Sequence, residues 1–166
     1  MIKWFKAIRN KDKHTFIQFA IVEYYPSITE DLLKKALNFA KAEVNISDEE
    51  IDTIMKTKKV LLFCKGNPWT KKGNKSFDVT MGSWDGAEVA DLVGLFLLSQ
   101  LTNLNLNVGL YRDDGLAACC QTRRQVEIIK KKMCKMFSKN SLKITVKANK
   151  RDVNFLDINL NRNGTL

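Results

Sequence analysis

Proline and histidine are scarce in this chain of 166 residues, which holds two prolines and a single histidine, and no apolar run in it is long. With 45% hydrophobic residues, the shortage of proline argues for a globular domain with a real core and against a disordered, linker-like chain. Cys64, Cys119, Cys120 and Cys134 form no CxxC pair, and only His14 could join them, so zinc coordination has no supporting pattern. Free thiols in a reducing, intracellular compartment are the plain expectation, with nucleus and cytoplasm not distinguished. The longest apolar stretch, residues 89–98, is interrupted by Asp91 and falls far short of the roughly 20 residues a membrane helix needs. The first residues, MIKWFKAIRNKDKH, lack the apolar run and cleavage site of a signal peptide, so no membrane partner is expected.

Negative charge is missing from one stretch in particular. Residues 123–151 hold eleven basic residues against a lone acid, Glu127, which accounts for the whole net charge of +10. The rest of the chain balances, 17 cations against 17 anions. A uniformly basic, histone-like protein or a disordered basic tail is therefore excluded.

What is present reads as an ordered series of elements in one domain. Residues 16–22 (FIQFAIV) predict a strand buried on both faces. Ser27 with Glu30 predicts a capping box opening a helix over 29–42, with Leu32, Leu33, Ala36, Leu37 and Phe39 inward, and Ser47 with Glu50 predicts a second helix carrying Ile51, Ile54 and Met55. Residues 60–64 predict a strand, 65–76 (KGNPWTKKGNKS) an exposed turn, and 77–81 an extended segment. After the loop GSWDG, residues 87–101 are apolar nearly all round and predict a helix buried in the middle of the domain. Residues 108–120 (VGLYRDDGLAACC) predict a hairpin turned at the Asp-Gly pair, with Asp113 and Asp114 at its tip. A basic amphipathic helix from Thr122 buries Val126, Ile129, Met133, Met136 and Phe137. Leu142, Ile144, Val146 and Ala148 alternate with polar residues as a half-exposed strand, and a final strand is expected across 153–160. The order predicts an α+β domain, helices packed on a mostly antiparallel sheet.

Two adjacent carboxylates at a turn repel each other unless solvent, a lysine or a divalent cation offsets the charge. Taken alone, Asp113-Asp114-Gly115 is an ordinary solvated turn. Its flanks point further. YRDD, residues 111–114, resembles the YxDD box of reverse transcriptases. FAIVEYYPSI (19–28) resembles their first catalytic strand, MGSWDGAEVADLVGLFLL (81–98) the loop and buried helix under template and nucleotide, the basic helix with LKITVKANK the segment after the Asp pair, and NFLDINL (154–160) the hairpin that grips the primer. The chain thus resembles retroelement (retrotransposon) reverse transcriptases from residue 16 to 160.

The resemblance implies a polymerase palm with a ferredoxin-like or RRM-like core, as a single domain over 1–166 with the fingers largely absent and the thumb absent. It implies RNA-directed DNA polymerase activity, a nucleotidyl transfer from deoxynucleotide triphosphates to a DNA primer on an RNA template, with two magnesium ions and other regions of a retroelement protein as companions. Asp113 and Asp114 would be the catalytic, metal-holding pair, since magnesium prefers carboxylate oxygens and water. Tyr25 would sense the sugar of the incoming nucleotide, or simply pack beside Pro26. Gly82 would allow close backbone approach to the template, or serve only as a loop glycine before the helix. Lys143 or Lys147 would protonate the leaving pyrophosphate, or face solvent from a strand. Arg123, Arg124, Lys130, Lys131 and Lys135 would meet a nucleic-acid backbone, or be no more than a solvated helix face.

One residue departs from the pattern. The family reads Phe-Asp-Ile in its first motif, and here Phe19-Ala20-Ile21 stands instead, removing the carboxylate that would bridge both metals. Glu23 stands three residues on, where an ordinary strand or turn would aim it elsewhere. Met81 stands where relatives carry a glutamine. Impaired catalysis is therefore expected, with a non-catalytic nucleic-acid-binding remnant as the alternative. Other palm-type enzymes fit less well: nucleotide cyclases lack the YRDD and FLDINL wording, and RNA-directed RNA polymerases usually place a glycine before the Asp pair.

Overall fold

The computed structural model describes residues 6–8, 13–70, 76–104 and 106–161. They form an α+β protein whose antiparallel sheet is packed with helices. The chain divides into two compact units, the described residues of Met1–Val22 with Leu97–Leu166, and those of Glu23–Phe96.

The first unit is built on a sheet of four strands: β1 (Thr15–Ile21), β4 (Asn107–Tyr111), β5 (Asp114–Cys119) and β6 (Ile144–Lys150), in the order β4-β5-β1-β6. Every neighbouring pair is antiparallel. Strands β5 and β6 flank β1 and so run parallel to each other, and the helix α5 (Arg123–Lys139) links them. Such parallel strands need a crossover, which a helix of 17 residues supplies. Thr122 caps it, accepting from the Gln125 backbone while the Gln125 side chain returns to the Thr122 N–H.

Directly opposed residues on antiparallel strands share a face, so the register sorts every side chain. Ile17, Phe19 and Ile21 share a face with Gly115, Ala117 and Cys119, and with Ile144 and Val146. Helix α5 covers this face with Val126, Ile129, Met133 and Phe137, all buried, and the rings of Phe19 and Phe137 lie 5.6 Å apart. The opposite face carries Phe16, Gln18 and Ala20 from β1 and Asp114, Leu116 and Ala118 from β5. The hairpin of β7 (Asp152–Phe155) and β8 (Ile158–Asn161) closes part of it: Val153, Phe155 and Leu160 pack with Ile8, Phe16, Leu116 and Ala118, and Gln18 donates to the Asn154 carbonyl at 3.0 Å.

Residues 153–160 are thus a hairpin and not a single strand, because Leu156 (φ 49°) and Asp157 (φ 62°) make a two-residue turn with both centres at positive φ. The alternation of β6 likewise ends at a bulge, where Gln18 pairs with Lys147 and Phe16 with Lys150. Asn149 sits there at φ 56°, its amide donating to Glu127 of α5 at 3.1 Å.

The second unit holds α1 (Tyr24–Ser27), α2 (Glu30–Lys41), α3 (Asp48–Thr57), the hairpin of β2 (Leu62–Cys64) and β3 (Asn67–Trp69), and the beginning of α4 (Gly86–Thr102). Helix α2 is capped by Thr29, whose hydroxyl accepts from the Leu32 N–H at 3.2 Å, and not by Ser27, which ends α1. Its buried stripe is Leu32, Leu33, Ala36 and Leu37, while Phe39 is half-buried against Phe96. The Ser47–Glu50 capping box of α3 forms in both directions. Part of the expected exposed turn is strand: Lys65 and Gly66, both at positive φ, make the turn that pairs Asn67–Trp69 with Leu62–Cys64. Residues 71–75 of that segment lie outside the described residues. Residues 77–81 form no strand, only a bridge from Phe77 to Lys59. Helix α4 is not buried all round either: Val89, Ala90, Val93, Leu97 and Leu101 are buried, but Leu95 is 58% exposed. Its composition hid a one-sided burial, since leucine is tolerated on a surface where periodicity alone would demand a polar residue.

Candidate functional site

The Asp pair lies at the β4–β5 turn, but the turn is not made by Asp-Gly. Tyr111 pairs with Asp114, which leaves Arg112 and Asp113 as the two central residues. Arg112 takes φ 53°, a conformation that glycine usually occupies, and its guanidinium lies 5.6 Å from the centre of the Tyr111 ring. Asp114 and Gly115 are already strand. Gly115 serves packing, because a β-carbon there would collide with the Phe19 ring.

Tertiary bonds clamp this turn to the end of β1. The Ile21 N–H donates to the Asp113 carbonyl at 2.8 Å, and the next amide, Val22, donates to the Lys143 carbonyl at 2.8 Å. Asp114 and Thr145 are the two cross-strand partners of Ala20. One row across the open face therefore reads Tyr111, Asp114, Ala20, Thr145, with Lys147 and Gln18 paired in the next row.

The Asp113 side chain is exposed, whereas Asp114 is partly buried. Burial, and then the neighbouring Asp113 carboxylate, push the Asp114 carboxyl above the ordinary aspartate value of 3.8. Asp114 also lines an open depression of about 620 Å³ with Asn154, Leu156, Asp157, Ile158 and Asn159. The YRDD and FLDINL segments, forty residues apart, thus meet on one surface. Asn159 donates to the Asn154 side chain at 2.8 Å across the hairpin. Asn154, Asp157 and Asn159 carry no individual signal in the sequence, because Leu156 is not a residue that marks a turn at positive φ.

A two-magnesium centre of the kind the resemblance implies does not fit these donors. It calls for hard oxygen ligands from several carboxylates. Ala20 presents a methyl group directly opposite Asp114, and among the described residues no three His, Cys, Asp or Glu side chains stand close enough to hold a metal ion. Glu23 sits beyond the end of β1 at φ 48°.

Lys143 is exposed just before β6, its carbonyl tied to β1 as described. Tyr25 and Gly82 belong to the second unit. Tyr25 is buried, its ring edge-on to that of Tyr24 at 6.0 Å. Gly82 takes φ 85° and no protein atom would meet a β-carbon there, so within the protein it is the backbone conformation that favours glycine. Arg123, Arg124, Lys130, Lys131 and Lys135 all belong to α5, which packs on the Phe19 face, the side of the sheet away from Asp114.

All four cysteines are free thiols; Cys119 is buried, and burial is the largest of the effects that raise its thiol pKa. Among the described residues no helix is long and apolar enough to cross a membrane. No protein-family model matches the sequence, and no curated protein matches it.

Proposed function

We propose that this chain is the palm of a retroelement reverse transcriptase, an RNA-directed DNA polymerase by descent whose nucleotidyl transfer is impaired. The observation that carries the reading is the pairing of β1 with β5, which sets the YRDD turn beside FAI and puts Ala20 opposite Asp114. The strand order β4-β5-β1-β6, with helix α5 joining β5 to β6, is the order a ferredoxin-like palm core would have, and so supports the same reading. The FLDINL hairpin beside Asp114 supports it further.

On this reading the open face receives the primer end, with Asp113 and Asp114 as the remaining site carboxylates and Tyr25, Gly82 and Lys143 assigned to the nucleotide. An RNA template and a DNA primer are the partners, and the four free thiols suit an intracellular setting. Impairment follows from the donor set: with a methyl at Ala20, the Asp pair lacks the third carboxylate that would help gather the metals.

Primer extension on an RNA template with magnesium and deoxynucleotides tests this directly. The chain should give little or no product, and Ala20→Asp should gain magnesium binding by calorimetry. Robust synthesis by the unaltered chain would overturn the impairment. Failure of Ala20→Asp to gain any magnesium binding would count against the palm reading itself.

A non-catalytic nucleic-acid-binding remnant is the second reading. It is favoured by the uncompensated cations of α5, which need no metal to attract phosphate.

A further inference from the structure

The basic stretch is continuous in sequence but divided in space. Lys147 belongs to the face of Ala20 and Asp114, whereas the cations of α5 belong to the far layer. At 100° per residue, with Val126, Ile129, Met133 and Phe137 buried, the side chains of Arg124, Lys131, Lys132, Lys135 and Lys139 fall in a stripe about 100° wide along the opposite side of the helix. At 1.5 Å per residue, the stripe runs roughly 22 Å. All five are exposed, and among the described residues none of them forms an ion pair. The helix's one acid, Glu127, is engaged by the Asn149 amide.

We infer that the outer face of α5 is a second nucleic-acid surface, which grips a phosphate backbone without help from the Asp pair. Charge complementarity identifies the occupant. Five uncompensated cations in line attract a polyanion. An acidic membrane is the poorer match, because surface-seeking helices insert an apolar face and the apolar face of α5 is occupied by the core; Ile128 is the one large apolar side chain exposed on it. Only the nucleic-acid part of the reading above is needed here, not its chemistry.

Fluorescence anisotropy of a labelled RNA–DNA hybrid, titrated with the full chain at several salt concentrations, tests the inference. The unaltered chain should lose affinity steeply with salt, and hybrids of unrelated sequence should bind alike. Lys131→Glu with Lys135→Glu should weaken binding by at least about tenfold, and its salt slope should become shallower by about two, close to one for each phosphate no longer neutralised. The milder Lys131→Gln with Lys135→Gln should weaken it in the same direction, which guards against misfolding of the reversed variant, as does circular dichroism. Unchanged binding by both helix variants, or complete loss of binding on Lys143→Glu with Lys147→Glu alone, overturns the second surface. So does preferential binding to phosphatidylserine vesicles that excess hybrid cannot displace. The palm reading stands or falls separately, on magnesium binding by Ala20→Asp.

Discussion

The ring of Phe19 fills the space that a β-carbon on Gly115 would need, and the two residues are direct partners across the β1–β5 ladder. This packing ties the position of the Asp pair to the core, because the same ring rests on Phe137 of α5. A glycine that looks like turn chemistry is in fact a seat for an aromatic side chain.

Gly115→Ala should therefore destabilise the protein even though alanine suits a strand better than glycine. Overpacking of this kind costs about 1–3 kcal/mol. Urea denaturation measures it, and a variant as stable as the parent would show that Phe19 can move aside freely.

Asp114 links the site to pH. Its carboxyl holds a proton more tightly when folded than when unfolded, since burial and Asp113 both raise its pKa. The stability it contributes is then complete below the ordinary value of 3.8 and is lost as pH rises through the raised folded value. Asp114→Asn should be more stable than the parent near neutrality, with the advantage shrinking towards about pH 3, apart from any constant effect of the amide. Denaturation midpoints at the two pH values check this; an advantage that grows in acid would reverse the sign.

In the second unit, Lys58 is buried and paired with Asp85, which is about one-third exposed. The two halves of this pair should not be equally dispensable. Asp85→Asn leaves a buried ammonium without its counter-charge and should cost roughly 3–5 kcal/mol. Lys58→Met leaves a carboxylate that water can still reach and should cost clearly less. Thermal unfolding of both variants decides it, and equal destabilisation would mean that Lys58 becomes solvated once its partner is gone.

Much of the fold was legible because its signals are local. The capping box at Ser47, and the apolar spacing of Val126, Ile129, Met133 and Phe137, depend on residues within a few turns of each other. Where non-local packing competes, local signals mislead. Thr29 and not Ser27 caps α2, because Tyr24–Ser27 forms a helical turn of its own. Arg112 and not Gly115 takes the positive φ at the YRDD turn, because Gly115 is committed to Phe19. Within the candidate site, Asp113 and Asp114 could be singled out from their own sequence, whereas Asn154, Asp157 and Asn159 join Asp114 only through the folding of β7–β8 onto the sheet.

By itself the sequence determined which residue types were available: two carboxylates at a turn, a methyl at position 20, and eleven cations crowded into 29 positions. Only the tertiary structure decided where they face. Strand side chains alternate, so the register of β1 against β5 and β6 assigns Ala20, Asp114 and Lys147 to one side of the sheet and leaves the cations of α5 on the other. A charge sum is blind to that division, because it adds residues along the chain while attraction and repulsion act through space.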